Sequence, residues 1–164
     1  MPNEKVVVNA SPLICFFRAE LEDLLSEIFG EIYVPESVWQ EILNGPRNDR
    51  ALKLLERSPW IRRTKIEKIH PKISGWDLGA GESEVLSYAL FHQHVKVVID
   101  DAAARRCART YGISYFGSGG ILIIAKRRGF ISSVSDVLNN LRSSGLWLSG
   151  DIVNLLKAKA GETH

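Results

Sequence analysis

The chain has 164 residues, 45% of them apolar and 24% charged, and a formal net charge of +2. This length suits one domain with a substantial core, and the composition excludes a disordered or low-complexity polypeptide. No apolar run is long enough for a helical membrane span, and so small a net charge does not by itself argue for a nucleic-acid partner. Glu4 lies among the first residues with no long apolar stretch behind it, so no secretory signal is expected and the expected location is cytoplasmic. Cys15 and Cys107 lie in apolar helical contexts and read as buried free thiols. Without a Cys-x-x-Cys or a His pair at ligand spacing, a zinc site is not expected.

In chain order, Lys5-Val6-Val7-Val8-Asn9 reads as a short buried strand ending on a polar residue. Ser11-Pro12 is expected to open a helix, with Ser11 as its N-cap. A second helical stretch, Leu21 to Phe29, ends at Gly30. Ile32-Tyr33-Val34 is a strand, and Pro35 begins a helix whose apolar stripe is Val38, Trp39, Ile42 and Leu43, with Glu41 on its flank. Asn44-Gly45-Pro46 breaks that helix, and Asn48 or Asp49 caps a short one. Residues 58–78 carry the weakest pattern, with Trp60-Ile61-Arg62-Arg63-Thr64 as an edge-strand candidate. Gly79-Ala80-Gly81-Glu82-Ser83-Glu84 opens a strong helix that turns Val85, Leu86, Ala89 and Leu90 to the core. Val95-Lys96-Val97-Val98-Ile99 is a buried strand that stops at Asp100-Asp101, and an Ala- and Arg-rich helix follows to Gly112. Ser114-Tyr115-Phe116 is a last strand, and Gly117-Ser118-Gly119-Gly120 turns into an apolar helix over 121–126. Amphipathic helices near 134–143 and 150–159 finish the chain.

Strands alternating with helices predict an α/β fold, with helices on both faces of a mostly parallel sheet. One domain over 1–164 is expected, with a core of about 5–145 and the 150–159 helix packed on it. Asn9 and Asp100 each end a core strand, and parallel strands bring both to one sheet edge, where open α/β sheets place their sites. Glu82 and Glu41 come from neighbouring helices. Acids converging at one edge repel one another unless cations join them, and an oxygen-only cluster suits Mg²⁺ or Mn²⁺. Such ions activate water and stabilise charge on a phosphodiester, chemistry that fits hydrolysis of nucleic acid. The residue types alone leave plainer roles open: Glu82 and Glu84 as first-turn acids, Glu41 as a solvated acid, and Asp101 as an N-cap. Ser118 fits either a helix cap or a phosphate contact through its turn amides. Arg105 and Arg109 share a helix face suited to a phosphate backbone.

Several segments resemble one family. Val6-Val7-Val8-Asn9-Ala10-Ser11-Pro12-Leu13-Ile14 resembles the opening motif of PIN-domain ribonucleases. Val34-Pro35-Glu36-Ser37-Val38-Trp39-Gln40-Glu41-Ile42 resembles their second motif. Leu78-Gly79-Ala80-Gly81-Glu82-Ser83-Glu84-Val85-Leu86, Val98-Ile99-Asp100-Asp101 with Ala104-Arg105, Gly117-Ser118-Gly119-Gly120-Ile121-Leu122 and Ala125-Lys126-Arg127-Arg128-Gly129 are similar to a prokaryotic, VapC-like subgroup of DUF3368 type. The resemblance spans roughly residues 5–145.

What it implies is a three-layer α/β/α sandwich and a metal-dependent endoribonuclease. It also implies a small antitoxin protein as partner and a homodimer. The family's metal and catalytic positions carry over to Asn9, Glu41, Glu82 and Asp100, with Asp101 beside them as a further metal ligand. Ser11, Arg105, Ser118, Lys126 and Arg127 are the candidate RNA contacts. Position 9 departs from the family, which has an acid there; an amide oxygen still coordinates, with one charge fewer. The alternative is a PIN module that binds nucleic acid but is catalytically weakened by Asn9. A phosphotransfer or dehalogenase-like domain using Asp100-Asp101 lacks support, because a nucleophilic Asp normally ends the first strand.

Overall fold

In the computed structural model, which describes residues 5–162, the short apolar runs form one sheet. The expectations about Glu4 and about the outermost residues of a 1–164 domain lie outside the described residues. The strands are β1 (Lys5–Val8), β2 (Ile32–Pro35), β3 (Ile61–Thr64), β4 (Val95–Val98) and β5 (Tyr115–Phe116). They lie in the order β3-β2-β1-β4-β5, and every pairing is parallel. The central strands are buried on both faces, which is why they read as continuous Val and Ile without alternation. β3 keeps Arg62 and Arg63 exposed, as an edge strand permits.

The helices are α1 (Ala10–Arg18), α2 (Glu22–Phe29), α3 (Glu36–Leu43), α4 (Arg50–Leu54), α5 (Pro71–Ser74), α6 (Ala80–Phe91), α7 (Ala102–Thr110), α8 (Ser118–Arg127), α9 (Val134–Ser143) and α10 (Gly150–Lys159). Right-handed crossovers put the helices that follow β1 and those that precede β4 on opposite faces. α1 packs with α2, and α2 with α8; α6 spans β1, β2 and β4 and meets α7. The result is three layers, α/β/α. The chain steps from β1 outward to β3, then back across to β4. The carboxyl ends of β1 and β4 therefore flank the point where the strand order reverses, the crevice such sheets use for ligands.

Two sequence expectations are corrected here. α1 starts at Ala10, so Asn9 and not Ser11 is its N-cap residue. Pro12 falls in the first turn rather than at the first position, where its missing N–H still has no intrahelical acceptor to lose. α8 starts at Ser118, so Ser118-Gly119-Gly120 is helical and Gly117 is the cap.

The end of the chain is fastened by one side chain. Glu162 accepts hydrogen bonds from the backbone N–H of Val134 (2.8 Å) and Ser135 (2.9 Å) at the start of α9, and from Ser133 Oγ (3.2 Å). It also pairs with Lys126 Nζ at 2.7 Å, and that ammonium donates to Ala160 O as well. Leu156 of α10 packs on Gly119, where an added Cβ would come within 2.5 Å of Leu156 Cδ1.

Candidate active site at the carboxyl edge of the sheet

Asn9 leaves β1 at this edge, and its backbone N–H donates to Val98 O across the β1–β4 pair at 3.0 Å. The residue is only 5% exposed. A residue in the N-cap position normally turns its side chain to the helix's own free N–H groups. Asn9 does not: it makes no cap bond, and its side chain has no hydrogen-bond partner among the described residues. It points instead at the first turn of α6, where a Cβ on Gly81 would lie 3.0 Å from Asn9 Oδ1 and 3.1 Å from Val38 Cγ2. Gly81 is thus required by close approach: α6 meets β1 and α3 without a side chain between them. The side-chain polar atoms that are both buried and unpaired among the described residues are Glu22 Oε2, Trp39 Nε1 and Arg50 Nε, so the Asn9 amide still reaches solvent at the edge of the sheet.

Glu82 sits beside it in the same turn. Its carboxylate folds back over Gly79, so that a Cβ there would lie 2.6 Å from Glu82 Oε2. That direction carries the charge toward the helix N-terminus, where the macrodipole favours it. α3 packs on α6 and brings Glu41 into range. Glu41 is exposed over much of its surface, yet its carboxyl is surrounded closely enough that loss of water raises its pKa above the ordinary value, and the charge of Glu82 raises it further. The two acids share one field with no cation between them.

Asp100 follows β4 on the adjacent strand. Both its oxygens are held by one residue: Ser118 donates its backbone N–H to Oδ1 (2.8 Å) and its hydroxyl to Oδ2 (2.6 Å). Ser118 is fully buried and opens α8 after β5, the strand next to β4. Gly117 leaves the space this requires, since a Cβ there would lie 3.2 Å from Asp100 Oδ1 and 3.8 Å from Arg105 Nη1. Four lone-pair sites on a carboxylate leave acceptor capacity beyond these two bonds. The negative charge of Asp100, after burial, also raises the pKa of the Cys15 thiol on α1.

Other expected site residues go elsewhere. Asp101 is exposed and caps α7, accepting from Ala104 N at 2.9 Å. Ser118 is buried behind Asp100 and offers no surface to a phosphate. Glu84 holds Ser37, through its backbone N–H at 3.1 Å and its hydroxyl, and so fixes the start of α3. Ser11 is exposed on the first turn of α1. Lys126 is tied to Glu162, and both Lys126 and Arg127 end α8, about 12–14 Å along its axis from Ser118. The next residue, Arg128, bonds Ile28 O at the end of α2, ahead of β2, so this basic cluster belongs to the opposite edge of the sheet. Arg105 alone of the expected basic contacts stands beside Asp100. Arg109 donates to Tyr115 Oη at 2.8 Å.

The role of Ser118 toward Asp100 was not readable from its spacing. The available signal was topological: a hydroxyl directly after a strand that pairs with the strand ending in an acid.

The arrangement consists of oxygen donors only, the set that hard divalent cations prefer. Among the described residues, no three His, Cys, Asp or Glu side chains stand close enough together to hold a metal as they are. Glu82 acts on the charge of Glu41, Asn9 lies against the first turn of α6, and Asp100 is turned to Ser118.

The sequence model of a PIN domain family, DUF3368, matches residues 5–162. The chain belongs to the PIN-domain family. The match runs beyond the roughly 5–145 of the sequence resemblance and takes in α10. No curated protein matches the chain. The five-stranded parallel sheet flanked by helices agrees with this family's fold, which is associated with nucleases generally. Among the described residues, no helix of this PIN protein is long and apolar enough to cross a membrane.

Proposed function

We propose that this PIN-domain protein is a metal-dependent endoribonuclease of the VapC-like toxin type. The observation that supports the reading is that Asn9, held against the first turn of α6, and Asp100 come to the same carboxyl edge of the sheet, with Glu82 close enough to act on the charge of Glu41. Asn9, Glu41, Glu82 and Asp100 would hold Mg²⁺ or Mn²⁺, with Asp101 at the margin. The bound ion would supply an activated water and stabilise charge on the phosphodiester.

The chain's own residues do the rest. Glu41, whose pKa is raised by partial burial and then by the charge of Glu82, would have to ionise to hold a cation. Ser118 keeps Asp100 aimed by two hydrogen bonds. Arg105, next to Gly117, meets the phosphate backbone from the α7 side. On this reading RNA is the substrate and the cytoplasm the setting. A small antitoxin and a second copy of the chain are the protein partners, and Trp147 (82% exposed) with Leu155 (53%) offers apolar area for one of them.

A second reading, a binding module with weakened hydrolysis, rests on the neutral amide of Asn9. Cleavage of a mixed RNA substrate with Mn²⁺ separates the two. Expected for the nuclease are cleavage by the wild type, loss of cleavage in Asp100→Asn, and a gain in Mn²⁺ affinity and rate in Asn9→Asp. If neither wild type nor Asn9→Asp cuts RNA with Mg²⁺ or Mn²⁺, the nuclease reading fails.

A further inference from the structure

We infer that a second nucleic-acid contact lies beside the last turns of α6, where a concave pocket of about 380 Å³ takes one base of a single-stranded polynucleotide. It is lined by Lys65, Ile66, Glu67, Lys68, Tyr88, Phe91 and His92. One wall is the loop that follows β3, and the other is the C-terminal end of α6.

Phe91 is 42% exposed, although phenylalanine is among the residues most often buried. Its ring is bracketed, not bare: His70 lies 4.8 Å from it, centroid to centroid, and Lys68 Nζ stands 5.6 Å over it. Behind it, Tyr88 and His92 stack at 4.2 Å, and Lys5 donates to the Tyr88 hydroxyl at 3.4 Å. Lys72 stands 5.6 Å over the Tyr111 ring near by, on the helix that His70 caps. The loop is held against α6 by the His70 N–H donating to Ser87 Oγ at 2.9 Å. The pocket is therefore built and does not depend on a loose loop.

The chemistry points to one occupant. Aromatic rings with cations at the rim are how sequence-tolerant proteins hold a single strand: the bases stack, and the cations meet the phosphates. Lys65 and Lys68 face the pocket with one acid, Glu67. An acidic peptide would meet the same lysines but has no flat ring to lay against the exposed part of Phe91. The position also matters. Phe91 lies nine residues after Glu82 on the same helix, about 14 Å along its axis. Nine residues also turn the helix by about 180°, so Phe91 projects from the side of α6 away from Glu82 and the pocket is a contact apart from the acidic edge. The inference rests on the nucleic-acid reading of the family but not on hydrolysis.

The test uses the full chain and a fluorescein-labelled 2′-O-methyl oligouridine in EDTA, so that binding is read apart from cleavage. Fluorescence anisotropy is compared for wild type, Phe91→Ala and the Lys65→Glu/Lys68→Glu double variant, with melting curves as the folding control. Loss of one stacked base or of two phosphate contacts weakens binding about tenfold. A loss of about fivefold or more in the folded variants supports the pocket, and a smaller loss overturns it. If Phe91→Ala does not fold, the double variant decides, because both lysines are exposed. A wild type that does not bind the oligonucleotide, or binds a labelled polyglutamate peptide as tightly, overturns it too. A wild type that binds through Phe91 but cuts no RNA leaves the pocket standing and removes the nuclease reading. Cleavage dependent on Asp100, with binding indifferent to Phe91, does the reverse.

Discussion

Glu162 and Glu41 are the same residue type in opposite circumstances. Glu162 has a cation at 2.7 Å and two helix N–H donors, and this company holds its carboxyl well below the usual range. Glu41 has lost part of its water, faces another acid, and is held above the usual range. The first is what a carboxylate looks like when the chain has completed its environment. The second has no such company: partial burial and a neighbouring acid act on it instead. Unsatisfied polar groups persist where something from outside is meant to satisfy them. The clamp at the end of the chain is thus architecture; on the proposed reading, the carboxyl edge of the sheet is where a cation would bind.

Breaking the two regions should give separable effects. The largest is expected at Asp100: Asp100→Asn keeps the contacts with Ser118 but lowers RNA cleavage by more than about 100-fold, beyond the usual cost of losing an outer-shell partner. Ser118→Ala comes next, with cleavage down about 10- to 100-fold in a protein that still folds. Measuring kcat and KM separately identifies a positioning residue if kcat carries most of the loss. Glu162→Ala should leave cleavage near wild type while lowering stability by about 1–2 kcal/mol in urea unfolding, from a lost cap and a lost charge-assisted bond.

The smallest effect concerns pH. The pKa of folded Glu41 is raised, so the folded chain retains a proton that the unfolded chain has already released. The associated stability is present below the unfolded pKa and is lost as pH rises through the folded value. Mn²⁺ affinity should rise across the same window, because the cation needs the ionised form. Glu41→Gln should flatten both profiles in calorimetry and thermal melting, with a stability change under about 1 kcal/mol because solvent screens the group. For Glu162 the sign reverses: its contribution is full above the unfolded pKa and is lost on acidification.

Much of the fold was legible because burial on both faces leaves a plain mark. Val6-Val7-Val8 and Val97-Val98-Ile99 could be read as central strands from their unbroken apolar runs, and Gly30 as a helix stop from its need for a positive φ, found at 74°. The start of α1 was misread because Ser11-Pro12 imitates a helix opening. Tertiary contact decided otherwise: the Asn9 backbone joins the β1–β4 ladder while its side chain turns to α6. Within the candidate site, the strand-ending residues were legible and their orientations were not. Nothing local in Gly117-Ser118 says that the hydroxyl will find an acid eighteen positions earlier. Lys126 and Arg127 were misplaced for a related reason: a basic cluster carries no mark of which end of its helix lies at which sheet edge.

Gly119, with Leu156 pressed against it, is the residue next to Ser118. The outermost helix of the fold thus leans on the turn that aims Asp100. A protease nick in the 144–149 connection would leave α10 attached only by its packing and by the Glu162 clamp, so the loosening would reach the Ser118–Asp100 contact before the sheet itself came apart.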